Sequence, residues 1–171
     1  MTVVASAAPA YPRGMAAENQ IAEPTRGALF WRLPWRDKML GGVALLLIGI
    51  GTATVTLLPM GLWRRVLGRP VGAVACTPVL SAPQIDKARV LRDAIARAAS
   101  IAPYRSDCLP QAFAGAVLCK LYRIPSAVHF GTKPGETSGL VAHAWLAAGP
   151  LAVTGGHSWD EYAVVACFVR P

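Results

Sequence analysis

The sequence is poor in acidic residues. Nine aspartates and glutamates stand against 17 lysines and arginines, which gives a net charge of +8. This balance favours an acidic partner, a membrane surface or nucleic acid. No basic motif interleaved with aromatic residues is present, and the basic residues form no single tight cluster. We therefore expect no nucleic-acid partner.

Cysteine is also scarce, and no C-x-x-C pair occurs. The wide spacing of the cysteines argues against a zinc site, and we expect neither a metal nor a cofactor. Few cysteines and no cleavable signal pattern favour a reducing, cytoplasmic setting in which a free thiol persists. The four cysteines are Cys76, Cys108, Cys119 and Cys167.

Composition changes along the chain predict four segments. Residues 1–28 are rich in alanine and proline and are expected to form a disordered tail. Residues 29–70 are an apolar segment, residues 71–83 are a linker containing proline and glycine, and residues 84–171 have the periodicity of a folded domain.

The apolar segment has no charged residue between Met39 and Trp63, and tryptophans and basic residues flank it. Such a segment is long enough to cross a bilayer as a single helix. Several glycines and Pro59 interrupt it, which favours instead a buried or interfacial hairpin. In that alternative Met60–Leu67 forms a short basic amphipathic helix. We expect membrane association, with a single-pass span as one possibility and a hairpin buried against the domain as the alternative.

The third segment alternates between helical and strand periodicity. A helix with one apolar face is predicted at Ile85–Ala102, and a second helix starts at Cys108. Two helices against an antiparallel sheet of about four strands make an α+β fold. The predicted strands are Ile124–Gly131, Leu140–Ala147, Leu151–Thr154 and Tyr162–Val169.

Two residues suggest a thiol chemistry. Cys108 stands where a polar turn meets an apolar helix, and the helix dipole there favours the nucleophilic thiolate. His143 lies mid-strand, where a histidine facing the thiol acts as general base. Taken singly, a buried cysteine is usually a small apolar residue and a strand histidine a core residue. Their order, a cysteine at a helix start followed by a histidine on a strand, is that of papain-like and transglutaminase-like thiol enzymes.

The surrounding motifs resemble one family more closely. The residues S-x-C-L at the helix start, R-I-P-S-A-V-H-F-G in the next strand and A-H-A-W around His143 resemble the B proteins of lasso-peptide biosynthesis. The resemblance covers roughly Ala88–Phe168. It implies a transglutaminase-like thiol protease that removes the leader peptide from a lasso-peptide precursor, with Cys108 as nucleophile and His143 as base.

The resemblance also implies partners. The apolar front ending in L-L-P-x-x-x-W-R-R-x-L-G-R is similar to that of members without their own precursor-binding domain. In such systems a separate precursor-recognition protein holds the leader, and a lasso cyclase receives the freed core.

The third catalytic member departs from the family pattern. Members with a full triad carry an acid shortly after the strand that follows the histidine, and residues 153–157 contain none. Asp160 is the nearest acid, and the Thr154 hydroxyl or a backbone carbonyl is the alternative orienter of the imidazole. Loss of an orienting carboxylate lowers the rate of such enzymes about 10⁴-fold. Asp107 beside the thiol is expected to cap the helix.

Two further functions stay open. A different thiol acyl-transfer enzyme, which passes the acyl group to an amine as transglutaminases do, would use the same pair. A membrane scaffold that binds a peptide without cleaving it would explain the missing carboxylate.

Overall fold

The structure is a computed structural model, and it describes residues 34–135, 139–156 and 161–171. The tail predicted at residues 1–28 lies outside these residues, and so does Asp160. Residues 34–171 group as one compact unit.

The described residues contain four helices. The two predicted helices of the third segment are confirmed, and their observed bounds differ from the predicted ones by a few residues. The helices are α1 Trp35–Leu57, α2 Met60–Leu67, α3 Ala82–Ile101 and α4 Cys108–Leu121.

The strands form one antiparallel sheet, in the order β1-β5-β2-β3-β4. The α+β fold is therefore confirmed, with five strands instead of about four. The additional strand, β1, pairs with β5; it is short and fully exposed, so it has no alternation of buried and exposed residues that the sequence could reveal. The strands are β1 Arg69–Gly72, β2 Ser126–Pro134, β3 Leu140–Ala148, β4 Leu151–Thr154 and β5 Ala163–Arg170.

Proline separates α1 from α2, as the hairpin alternative predicts. Pro59 lacks the N–H that a continuing helix needs, and α2 begins at the next residue. Trp63 of α2 is buried edge-on against Phe113 of α4, with ring centroids 6.5 Å apart. The second helix therefore folds back on the domain.

Helix α1 also packs against the domain. Its buried residues, Leu40, Ala44, Ile48 and Gly51, recur every three or four positions and so line one face. Gly51 lies so close to α4 that an added Cβ would stand 3.1 Å from the Pro110 carbonyl oxygen. The segment predicted at residues 29–70 thus contributes a face to the core of the following domain.

Helices α3 and α4 cover one face of the sheet. An added Cβ at Gly115 of α4 would lie 2.6 Å from Leu146 Cδ2 of β3, so a larger residue there would displace the end of the leucine side chain. Along β3, Ala144, Leu146 and Ala148 join the core beneath the helices. Side chains alternate along a strand, so His143 and Trp145 project from the opposite face.

Candidate active site

The turn that leads into Cys108 is fixed by α1. The Tyr104 hydroxyl donates to the Leu45 carbonyl oxygen, and its ring lies against Gly49, where an added Cβ would approach it to 3.1 Å. Thr52 Oγ1 lies 2.9 Å from the Arg105 carbonyl oxygen and donates to it. The apolar helix therefore supports the loop that carries the thiol.

The same turn is tied to the other two core helices. Ser106 Oγ donates to the Ala99 carbonyl oxygen of α3 over 3.1 Å. Gln111 Nε2 of α4 donates to the Ser106 carbonyl oxygen over 2.6 Å. Three helices thus fix the backbone before Cys108, so the thiol occupies a defined position.

Asp107 occupies the N-cap position of α4, but its side chain makes no capping hydrogen bond. The expectation that it caps the helix through its carboxylate is therefore wrong. The carboxylate pairs instead with Arg105 Nε at 3.2 Å.

Cys108 is the first residue of α4 and is half-buried. The N–H groups of a helix's first turn have no intrahelical acceptor. Those of Cys108 and Leu109 are such groups, whereas Pro110 has no N–H to offer. These two N–H groups can donate to an oxyanion formed beside the thiol.

His143 is held by a backbone carbonyl. Its Nε2 lies 2.7 Å from the Gly155 carbonyl oxygen. A carbonyl oxygen only accepts, so Nε2 carries the proton, and Nδ1 of the neutral ring is left as the basic nitrogen. Thr154 Oγ1 accepts the Leu146 N–H at 3.1 Å, and the alternative role of its hydroxyl as orienter stays a prediction. The role proposed for Asp160 stays a prediction.

Gly155 is suited to this contact. Its φ is +96°, and an added Cβ would stand 2.3 Å from Trp145 Cβ. Both the left-handed backbone and the lack of space require glycine. In the described part of the chain β4 pairs with β3 only from Leu146 onward, and the imidazole of His143 reaches the Gly155 carbonyl just beyond that pairing.

Four rings stand in a row on this face of the sheet. His129 stacks on Trp145 with centroids 5.2 Å apart, Trp145 stacks on His143 at 6.0 Å, and Tyr162 lies against His143 at 5.0 Å. Trp145 and His129 are buried. Trp145 therefore fixes the ring plane of His143 instead of lining an open cleft.

Cys108 and His143 lie at the same end of the helix–sheet layers. Helix α4 and strand β3 run in the same direction, since Cys119 at the helix end contacts Ser126 at the start of β2, beside the end of β3. Gly115 of α4 contacts Leu146 of β3. Cys108 lies about 10 Å from Gly115 towards the N-terminus of the helix. His143 lies about 10 Å from Leu146 towards the N-terminus of the strand, and so in the same direction.

No hydrogen bond joins the two side chains in the described part of the chain. The thiol adjoins the core beneath the helices, whereas the imidazole projects from the other face of β3 and reaches the Gly155 carbonyl. The two side chains thus lie at one end of the sheet but on opposite faces of it, and the structure does not bring them together. Catalysis by the pair requires them to meet in the substrate complex.

The second cysteine of α4 is different. Cys119 is buried, and burial raises the pKa of its thiol to about 12, an effect that the hydrogen bond with Ser126 reduces. It is therefore a neutral thiol at physiological pH. Of the two cysteines on this helix, only Cys108 has the exposure that a nucleophile requires.

Several site residues escaped the sequence analysis. Gly155, Tyr162 and His129 carried no predicted role, since their contacts come from strand pairing and from the turn after β4. For Gly155 and Gly156, the sequence indicates only that they belong to a stretch without an acidic residue. Among the described residues, no group of three or more histidine, cysteine or acidic side chains is arranged to hold a metal ion.

Comparison with known proteins agrees with this geometry. The sequence profile of the transglutaminase-like superfamily matches residues 54–167, about two thirds of the chain. No curated protein and no solved structure matches it. The superfamily includes cysteine proteases and acyl-transferases, and its fold typically supports cysteine-based catalysis. The chain belongs to the transglutaminase-like superfamily.

Proposed function

We propose that this protein is a cysteine peptidase that removes the leader peptide from a lasso-peptide precursor. The observation that carries the proposal is the half-buried Cys108 at the start of α4, at the same end of the layers as a histidine oriented by Gly155. The motifs around both residues resemble the lasso-peptide B proteins, which supports this substrate among those of the superfamily.

In the first step, Cys108 attacks the carbonyl carbon at the junction of leader and core. His143 Nδ1 takes the thiol proton, because Nε2 is engaged with Gly155. The N–H groups of Cys108 and Leu109 stabilise the oxyanion. The imidazolium then gives its proton to the core nitrogen, the peptide bond breaks, and the leader remains on Cys108 as a thioester.

In the second step, water gives a proton to His143 and attacks the thioester. The leader leaves as a carboxylic acid, and the His143 imidazolium returns its proton to the Cys108 sulfur. The freed core amine is the group that a lasso cyclase needs for ring closure. A separate precursor-recognition protein presents the leader in this proposal.

The Gly155 carbonyl replaces the family carboxylate as orienter of the imidazole. It fixes the tautomer and the ring position as a carboxylate would. It carries no full charge and stabilises the imidazolium less, so we expect a slower enzyme with unchanged chemistry.

The protein also binds membrane surfaces in this proposal. Helix α1 is long and apolar enough to cross a bilayer. One face packs on the domain, while Trp35, Met39, Leu46, Ile50 and Leu57 are exposed on the rest of the helix. A helix held along a folded domain is suited to lie in the membrane interface, and Arg64 and Arg65 of α2 can meet anionic headgroups.

Cleavage of the precursor tests the peptidase activity. The protein is mixed with its recognition protein and the precursor peptide of the same gene cluster, and the products are weighed by mass spectrometry. Leader release by the wild type and by Cys119→Ala, with none by Cys108→Ala or His143→Ala, is the expected result. Binding without cleavage in the wild type would support the scaffold function.

A labelled amine added to the same reaction separates hydrolysis from transfer. Peptidase activity leaves a free carboxylic acid on the leader, since water takes the acyl group. Incorporation of the amine in place of water would identify an acyl-transferase and overturn the peptidase assignment.

A further inference from the structure

Two cysteines, Cys76 and Cys167, lie close together on the face of the sheet that carries the row of four rings. Cys167 on β5 lies opposite His129 on one side and Gly72 of β1 on the other. After Gly72 the chain folds back over this face, so that the Cys76 N–H donates to His129 Nε2 at 3.3 Å. His129 thus adjoins both cysteines, one through its strand pairing and one through its ring.

The two thiols are close enough to interact. Burial raises the pKa of the Cys167 thiol to about 12, and the thiol and backbone N–H of Cys76 also act on it. Cys167 is fully buried, whereas Cys76 is half-buried in a segment without helix or strand. A reagent from solution therefore reaches Cys76 first, and Cys167 is available to the sulfur of Cys76.

His129 leaves a polar atom unsatisfied beside the pair. Its Nε2 accepts the Cys76 N–H, so the proton of the neutral ring lies on Nδ1. Within the described residues that Nδ1 is buried and has no hydrogen-bond partner, although buried polar atoms are normally satisfied. Cys76 is thus held to the sheet by contacts with both His129 and Cys167.

We propose that Cys76 and Cys167 form a reversible disulfide by exchange with a small-molecule disulfide. The Cys76 sulfur attacks one sulfur of the reagent, which yields a mixed disulfide and one small thiol. The Cys167 thiol then loses its proton, and its sulfur attacks Cys76 and releases the second small thiol; this step is the slow one because burial raises the pKa of Cys167. Two protein thiols are oxidised, the reagent disulfide is reduced to two thiols, and the two thiol protons end on those products.

The bond would fix residues 73–81 to the sheet. It would lie next to His129, which stacks on Trp145, which in turn stacks on His143. Oxidation would therefore rigidify the support of the catalytic imidazole. In a reducing compartment such a bond is transient and reports the thiol–disulfide balance. This inference does not depend on the peptidase assignment.

The test uses the full chain with Cys108→Ala, so that the exposed nucleophile takes no part. The protein is incubated with oxidised glutathione, alkylated, digested and analysed by mass spectrometry, and its melting temperature is measured. We expect a Cys76–Cys167 cross-linked peptide, a loss of two hydrogen atoms per chain and a higher melting temperature that dithiothreitol reverses.

Matched variants complete the test. Adding Cys119→Ala to this background removes a buried cysteine outside the pair and should change nothing. Adding Cys76→Ala, in the irregular segment, should abolish the cross-link and the rise in melting temperature. A glutathione adduct that persists on Cys76, a bridge from Cys76 to Cys119 or a disulfide between two chains would overturn the proposal.

Discussion

At the scale of single residues, the orienter of His143 is a backbone carbonyl, so its effect can be tested only through the glycine that carries it. Replacing Gly155 with alanine forces a Cβ into Trp145 and strains a φ of +96°. We expect a loss of about 1–3 kcal/mol in the free energy of unfolding and at least a tenfold fall in the rate of leader release.

Gly156→Ala is the matched control for this change. Gly156 also has a positive φ, of +70°, but an added Cβ would meet nothing within 4 Å. It should cost about 1 kcal/mol from backbone strain alone and leave the rate nearly unchanged. Equal rates in the two variants would show that the Gly155 carbonyl does not orient the imidazole.

His129 links stability to pH. Burial lowers its pKa from the usual 6.5, so the folded protein resists protonation at a pH where the unfolded chain accepts a proton. The free energy of unfolding should therefore fall as the pH drops below about 6.5, by at most about 1.4 kcal/mol per pH unit, until the folded pKa is passed.

Denaturant unfolding at a series of pH values between 8 and 5 measures this effect. His129→Phe keeps a ring against Trp145 and removes the titrating group. Its curve should be flatter than that of the wild type, the other histidines being common to both. Parallel curves would mean that His129 does not set the pH dependence.

At the scale of elements, α1 is a structural part of the domain. Ile48 is fully buried against it, while Ile50, two positions later, is 45% exposed. Ile48→Ala should lower the free energy of unfolding by roughly 2–4 kcal/mol because it leaves a cavity. Ile50→Ala should change it by less than about 0.5 kcal/mol in water.

Chemical denaturation of the two variants decides the role of α1. The same Ile48→Ala substitution should also speed alkylation of Cys108, since α1 holds the turn before it through Tyr104 and Thr52. If both variants were as stable as the wild type, α1 would be an appendage that does not support the thiol.

The apolar periodicity of the sequence, and residues such as Pro59 that end a helix, predict most of these elements. The helix at Ile85–Ala102, the helix starting at Cys108, the strand Leu151–Thr154 and the break at Pro59 are confirmed, because each has a clear apolar period or a residue that excludes the alternative. The exposed β1 has no such signal. The Gly155 contact joins residues that become neighbours only when the turn after β4 forms.

The packing of α1 shows a different limit. An uncharged run of this length predicts a span as readily as a buried helix, since both need an apolar surface. Only partner residues such as Tyr104 and Phe113, distant in sequence, reveal that one face is buried. The face of the sheet from which His143 projects is likewise set by the packing of Leu146 against α4, which the sequence alone does not show.

At the scale of the whole molecule, net positive charge and the exposed face of α1 predict binding to anionic membranes. Flotation with phosphatidylglycerol vesicles should recover the protein with the lipid, and vesicles of phosphatidylcholine alone should recover less. High salt should weaken the binding and the apolar face should retain part of it. No difference between the lipids would contradict a contribution from the basic residues.

Leu46 provides the variant for that experiment. It is 64% exposed on α1, so Leu46→Asp should reduce the bound fraction severalfold while the domain stays folded. Asp37→Asn, at the start of the same helix, is the control. It removes a negative charge where Leu46→Asp adds one, so it should not reduce binding. Protein resistant to extraction by high salt or alkali in both variants would indicate a span.

If Cys108 is the nucleophile, an acyl-enzyme forms on its sulfur and can be trapped. The wild type, its recognition protein and the precursor are mixed, quenched in acid at short times and digested for mass spectrometry. We expect the leader to be joined as a thioester to the peptide that contains Cys108, in an adduct that rises before free leader appears and is absent in Cys108→Ala. Leader release by Cys108→Ala, or an adduct on another cysteine, would contradict this role of Cys108.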